Sequence, residues 1–151
     1  MRVYRITRAR FRDSVLSGHG AATRDGGRWN APGFPASYAS ESAALALVEV
    51  LAHIVSPVFL AQAGHAWFVF DVPDDQIASL DRGQLPAGWD AVPPGGRSQA
   101  IGTAFLEKAE HAALRVPSVI VPFEANLLLN PLHPVIRDLR PVEEIPIRWD
   151  Q

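Results

Sequence analysis

The chain opens on an alternation that suits a strand. In "MRVYRIT", Tyr4 and Ile6 fall on one side and Val3 and Arg5 on the other, the period of a strand. The pattern then breaks. Residues 11–35, "FRDSVLSGHGAATRDGGRWNAPGFP", hold five glycines and two prolines without periodicity and read as a long loop. Such loops are uncommon inside compact domains and are often functional. A short strand at Ser37 to Ala39 is expected to lead into a helix capped by Ser40. Glu41 would stand near the positive end of that helix dipole, and the helix would stop before Pro57.

Further on, "AWFVFDV" is aromatic and β-branched and predicts a central strand. A second irregular insert, "QLPAGWDAVPPGGRS", precedes "SQAIGTAFLEKAEHAAL", which has the spacing of an amphipathic helix. "SVIVPF", "ANLLLN" and "EIPIRW" complete the expected strands, the prolines marking short ends where no ladder N–H is needed. The order is mixed rather than a βαβ alternation, so the expected class is α+β, one domain over residues 1–151 with a mixed sheet and helices. No internal repeat or linker interrupts it.

Composition narrows the chemistry. The net charge of −2 supplies no broad cationic footprint, which argues against direct nucleic-acid binding. The absence of cysteine removes disulfides, thiol catalysis and thiolate metal sites, and no signal peptide or long apolar run appears, so a cytoplasmic protein without a membrane segment is expected. The five histidines form no metal-binding pair, and Glu49 with His53 supplies only two ligands, so no metal site is expected. Phosphate-loop, dinucleotide-fold and nucleophile-elbow motifs are all missing.

Two positions carry candidate chemistry. Glu49 lies in an apolar helix lacking lysine or arginine, with Ser42, Leu45, Ala46, Ala52 and His53 on its own stripe. A carboxylate there needs solvent, a cation or a ligand cavity. Arg28 follows two glycines that permit close approach of a ligand, and its guanidinium can fork onto a pyrophosphate or pair locally with Asp25. Trp29 and Tyr38 serve equally as core aromatics or as ligand-facing rings.

The blocks "YRI", "GGRWN", "YAS", "ALVEVLAH", "VPSVIVP" and "NLLLNPLHP" occur in this order along nearly the whole chain. In them the sequence resembles the RES-domain family, the toxins of bacterial Xre–RES toxin–antitoxin pairs. The resemblance implies an ADP-ribosyltransferase-like fold and breakdown of NAD+ by water or phosphate, with NAD+ as substrate and no further cofactor. Transfer of ADP-ribose to a protein, or a silent binding module, are the alternatives. It places the family's catalytic arginine, tyrosine, glutamate and serine on Arg28, Tyr38, Glu49 and Ser118. Arg5, Trp29, Asn30 and Asn130 are assigned to substrate binding, while Asn126 and His133 shape the pocket or the chain turn. It also implies a cognate Xre-type antitoxin that covers the active site and makes the DNA contacts, an assembly compatible with a homo-oligomer. In that reading Glu49 holds the ribose, Tyr38 stacks on nicotinamide, Arg28 anchors the pyrophosphate and Ser118 orients rather than attacks.

Overall fold

The computed structural model describes residues 1–54 and 56–149; Val55 and the last two residues of the expected domain lie outside the described residues. Seven strands form one sheet: β1 (Arg2–Arg8), β2 (Ser37–Ser40), β3 (His65–Asp71), β4 (Ile77–Ser79), β5 (Ala113–Pro117), β6 (Ala125–Leu129) and β7 (Glu143–Pro146). Their order is β4-β5-β6-β2-β1-β3-β7, antiparallel throughout except for β4 beside β5. The helices are α1 (Ala21–Asp25), α2 (Ala43–Leu51), α3 (Pro57–Gln62), α4 (Gly96–Lys108) and α5 (Pro134–Arg137), so the architecture is mixed α+β. The aromatic strand β3 is interior but not the middle one, a place taken by β2.

Strand period two sorts the side chains between two faces. On one, Val3, Ala39, Phe68, Phe70, Leu127 and Leu129 meet Ile136 of α5. On the other, Leu114, Val116 and Leu128 meet Trp29, Trp89 and Leu106 of α4. Tyr38 belongs to this second face, opposite Leu128 in the β2–β6 register.

Four local expectations are corrected. The cap of α2 is Ser42, whose Oγ accepts the Leu45 N–H at 3.0 Å, while Ser40 remains in β2. Glu41 is drawn away from the helix because its Oε2 takes Nε and Nη2 of Arg115 at 3.0 and 2.8 Å and its Oε1 takes the Ala125 N–H at 2.8 Å. The helix expected through Leu114 stops at Lys108, where Ala109 turns left-handed (φ 52°), and "ALRVP" becomes β5. "SVIVPF" is therefore not a strand: Ser118 Oγ accepts the N–H groups of Ile120 and Val121 at 3.2 and 3.0 Å and folds the segment into a turn. A 3₁₀ segment, Ala9–Ser14, leads into the long glycine-rich stretch, which itself contains α1.

Candidate active site

A cleft of about 780 Å³ opens between β1, β2, α2 and the loop after α1, within the roughly 300–1,000 Å³ usual for small-ligand sites. Arg5, Arg28, Tyr38, Glu49 and Asn126 all line it, so residues far apart in the chain converge there.

Local packing explains each placement. Helix α2 lies over β1 and β2, and the Trp67 indole N–H of β3 ties it down by donating to Ala43 O at 3.2 Å. Glu49, near the end of α2, accepts on Oε1 from Ser118 Oγ at 2.8 Å and Asn126 Nδ2 at 2.7 Å. Ser118 is 1% exposed, and its hydroxyl oxygen accepts two backbone N–H groups while its proton goes to Glu49. Arg82 fixes this turn from outside, donating to Ser118 O at 2.8 Å while its guanidinium stacks 5.2 Å from the Trp89 ring centre.

Arg28 is not paired with Asp25, which is held by Arg24. Its Nη1 instead donates to the carbonyls of Trp89 and Ala91 at 3.1 and 3.0 Å, leaving the rest of the fork uncommitted. Burial draws the guanidinium down from its ordinary value, and Asp90 and Glu49 oppose that shift; it remains a cation at neutral pH. Arg5 Nη1 donates to Tyr38 O at 2.6 Å, and its Nε is the one buried side-chain nitrogen without a partner among the described residues. Desolvation lowers the Arg5 pKa as well. Neither arginine forms an ion pair among the described residues, so the cleft concentrates two unpaired cations in a weakly acidic chain.

Tyr38 offers its ring, not its hydroxyl. The hydroxyl donates to Asn30 Oδ1 at 2.6 Å and accepts the Trp29 N–H at 3.1 Å, and burial pushes the phenol well above its ordinary pKa despite that bond and the Arg28 charge. Gly27 is required beside it: a Cβ there would stand 2.8 Å from both Tyr38 Oη and Asn30 Oδ1. Tyr38→Phe should keep the ring but strand two buried partners, lowering stability by about 1–3 kcal/mol. Chemical denaturation checks this, an unchanged midpoint being the contrary result.

Trp29 is among the residues lining the cleft, though it is only 2% exposed and its ring stacks 5.8 Å from Trp89. Two other expected ligand contacts are corrected. Asn30 is fully buried because it holds the loop together, with Nδ2 on Ala22 O and Phe34 O at 2.8 and 3.2 Å. Asn130 lies away from the cleft, joining Leu106 O and the Leu132 N–H, each at 3.1 Å. His133 caps α5 through Nδ1, whereas His53 stands exposed on the cleft rim. No cluster of three potential metal ligands occurs among the described residues, and no helix there is long and apolar enough to cross a membrane.

The sequence reading missed the supports of the loop. Gln99 Nε2 donates to Gly27 O and Thr103 Oγ1 accepts the Ala31 N–H, both at 3.0 Å, from one face of α4. Their i, i+4 spacing around Gly102 was a legible signal. The second insert, irregular by sequence, supplies the carbonyls that seat Arg28 and brings Val92 and Pro94 to the cleft.

The whole constellation, an arginine loop, a tyrosine strand, a glutamate helix and a serine turn around one cleft, sits in a sequence whose residues 2–150 match the RES domain. The chain belongs to the RES-domain family. It is 40% identical over 132 residues to "Toxin Res" of Photorhabdus laumondii, covering 87% of this chain and 83% of that protein. It is 41% identical over 128 residues to "Prs ADP-ribosylating toxin" of a Sphingobium species, covering 83% and 78%. Its fold matches a chain of the Mycobacterium tuberculosis MbcT–MbcA toxin–antitoxin complex with a TM-score of 0.76 and 25% identity, over 97% of this chain and 83% of that one.

Proposed function

We propose that this protein is the toxin of a toxin–antitoxin pair and cleaves the nicotinamide–ribose bond of NAD+, on an ADP-ribosyltransferase-like fold. The observation that carries the reading is the meeting of two guanidiniums that form no ion pair with one oriented carboxylate in a single cleft. A dinucleotide has the complementary charges: a pyrophosphate for Arg28 and Arg5, and a cationic nicotinamide riboside for Tyr38 and Glu49.

The bond to be broken joins ribose C1′ to a positively charged ring nitrogen. Its electron pair leaves with nicotinamide as a neutral base, so no general acid is needed and one carboxylate suffices. Positive charge then passes to the ribose ring, where the Glu49 carboxylate stabilises it. The Tyr38 ring faces the nicotinamide ring of bound NAD+, which is cationic until the bond breaks, a contact of about 0.5–2 kcal/mol. Water or phosphate completes the reaction at C1′. Growth arrest follows from loss of a shared cytoplasmic cofactor.

Val92 and Ile120, 81% and 45% exposed, stand on the cleft lining, and such apolar side chains support a covering protein partner. A cognate antitoxin fits that role, and DNA contacts then fall to it. The likeness to the Sphingobium protein favours a second reading, transfer of ADP-ribose to a protein from the same cleft. Incubating antitoxin-free protein with NAD+, with and without phosphate, tests both. Free nicotinamide with ADP-ribose or its 1″-phosphate is expected; intact NAD+ would refute the proposal, and a protein adduct matching the released nicotinamide would favour transfer.

A further inference from the structure

We propose that Asn126, itself oriented by Ser40, is a positioning residue that directs the Glu49 carboxylate at substrate; this rests on the reading of the cleft as an NAD+-cleaving site. Ser40 and Asn126 stand opposite each other in the β2–β6 register and project to the cleft face of the sheet. Ser40 Oγ donates to Asn126 Oδ1 at 2.7 Å. Glu49 sets which end of the amide faces which way: its carboxylate can only accept, so the Asn126 nitrogen is turned to Oε1 at 2.7 Å and the oxygen is left to the Ser40 hydroxyl.

The same Glu49 oxygen receives Ser118 Oγ at 2.8 Å from the turn after β5. One donor alone would let the carboxylate swivel about its last torsion. Two donors, one from β6 and one from the turn after β5, fix its plane. Oε2 accepts no hydrogen bond among the described residues and is the oxygen left for the ribose. Asn126 therefore acts through Glu49: its loss misaims an oxygen whose placement sets the chemical step, and errors near 1 Å cost roughly 10²-fold.

The decisive variant is Asn126→Asp, which keeps the shape and the Ser40 contact but sets a second carboxyl against Glu49. Two such groups share one proton, so one of them titrates well above the ordinary carboxylate range. Below that elevated pKa the introduced carboxyl carries the proton and donates to Glu49 as the amide does; above it the donor is lost and the two charges repel. Other groups facing the pair are Tyr4 and Arg5 on β1, Arg28 and Tyr38, and His53 at the rim; Asp25 is held by Arg24 and Glu41 by Arg115.

Asn126→Asp should then be nearly inactive at neutral and alkaline pH and recover kcat as pH falls, a recovery the parent protein lacks. Asn126→Ala should lose roughly 10- to 100-fold in kcat with KM nearly unchanged. Ser40→Ala, which removes only the orienting donor, should lose less. Carbon-13 titration of the carboxyls gives a readout independent of turnover: N126D should show one elevated titration that disappears when Glu49→Gln is added. A parent-like pH profile in N126D without the elevated titration would overturn the proposal. If the parent leaves NAD+ intact, the NAD+ reading fails, and the carboxyl titration still decides whether Asn126 governs Glu49.

Discussion

Replacing Glu49 with glutamine should leave the fold and melting behaviour intact while NAD+ turnover falls at least about 10²-fold, roughly 2.7 kcal/mol of transition-state stabilisation. The separation of effects follows from the two oxygens. Oε1 only accepts, from Ser118 and Asn126, and an amide oxygen accepts as well. The new NH2 replaces Oε2, the oxygen without a protein partner, so no buried group is stranded. What vanishes is the negative charge beside the forming oxocarbenium ion. The loss should therefore appear in kcat, with NAD+ still bound by Arg28, Arg5 and the Tyr38 ring. Turnover within a fewfold of the parent would remove Glu49 from the chemistry.

The second large effect concerns stability. A Cβ on Gly102 would stand 1.7 Å from Trp29 O, 2.6 Å from its carbonyl carbon and 2.8 Å from its Cβ. Two influences compete in Gly102→Ala. Alanine gains about 1 kcal/mol of helix propensity in α4. Against it, two backbones in contact must separate, and the helix carrying Gln99 and Thr103 must pull off the loop they hold. Overpacking of backbone outweighs propensity, and a net loss of about 3 kcal/mol or more is expected, lowering Tm by roughly 10 °C. Activity should fall too, because Arg28 shares that loop. Gly83→Ala is the control, since nothing lies within 4 Å of a Cβ there. Equal melting of the G102A variant and its parent would contradict this account of the close contact.

The parts legible in the sequence were those governed by local chemistry. Alternation gave β1, the β-branched aromatics gave β3, and the apolar stripe gave the helix bearing Glu49. Errors arose where a distant partner decided between equal local choices. In "SESA", either serine caps a helix; β6 pairing with Ser40 and the capture of Glu41 by Arg115 leave Ser42 as the cap. "SVIV" has every preference of a strand, and one hydroxyl accepting two backbone N–H groups bends it into a turn.

The site divides in the same way. A glutamate in an apolar helix and an arginine after paired glycines announced themselves by being costly where they stood. Asn30 and Asn130 looked equally polar, but polarity alone does not say whether an amide serves a ligand or ties down backbone. Burial answers that, at 0% and 2% exposure. For Asn126 the sequence supports no more than shaping the pocket or the chain turn, because its meaning lies in Ser40 and Glu49, whose approach is a property of the folded sheet.

The most direct measurement is a crystal structure of the Glu49→Gln variant with NAD+ bound. The pyrophosphate should lie on the Arg28 guanidinium, the nicotinamide against the Tyr38 ring, and the adjoining ribose hydroxyls within hydrogen-bond reach of the side chain at position 49. Density for NAD+ outside the cleft, or with its nicotinamide ribose remote from that side chain, would contradict this placement.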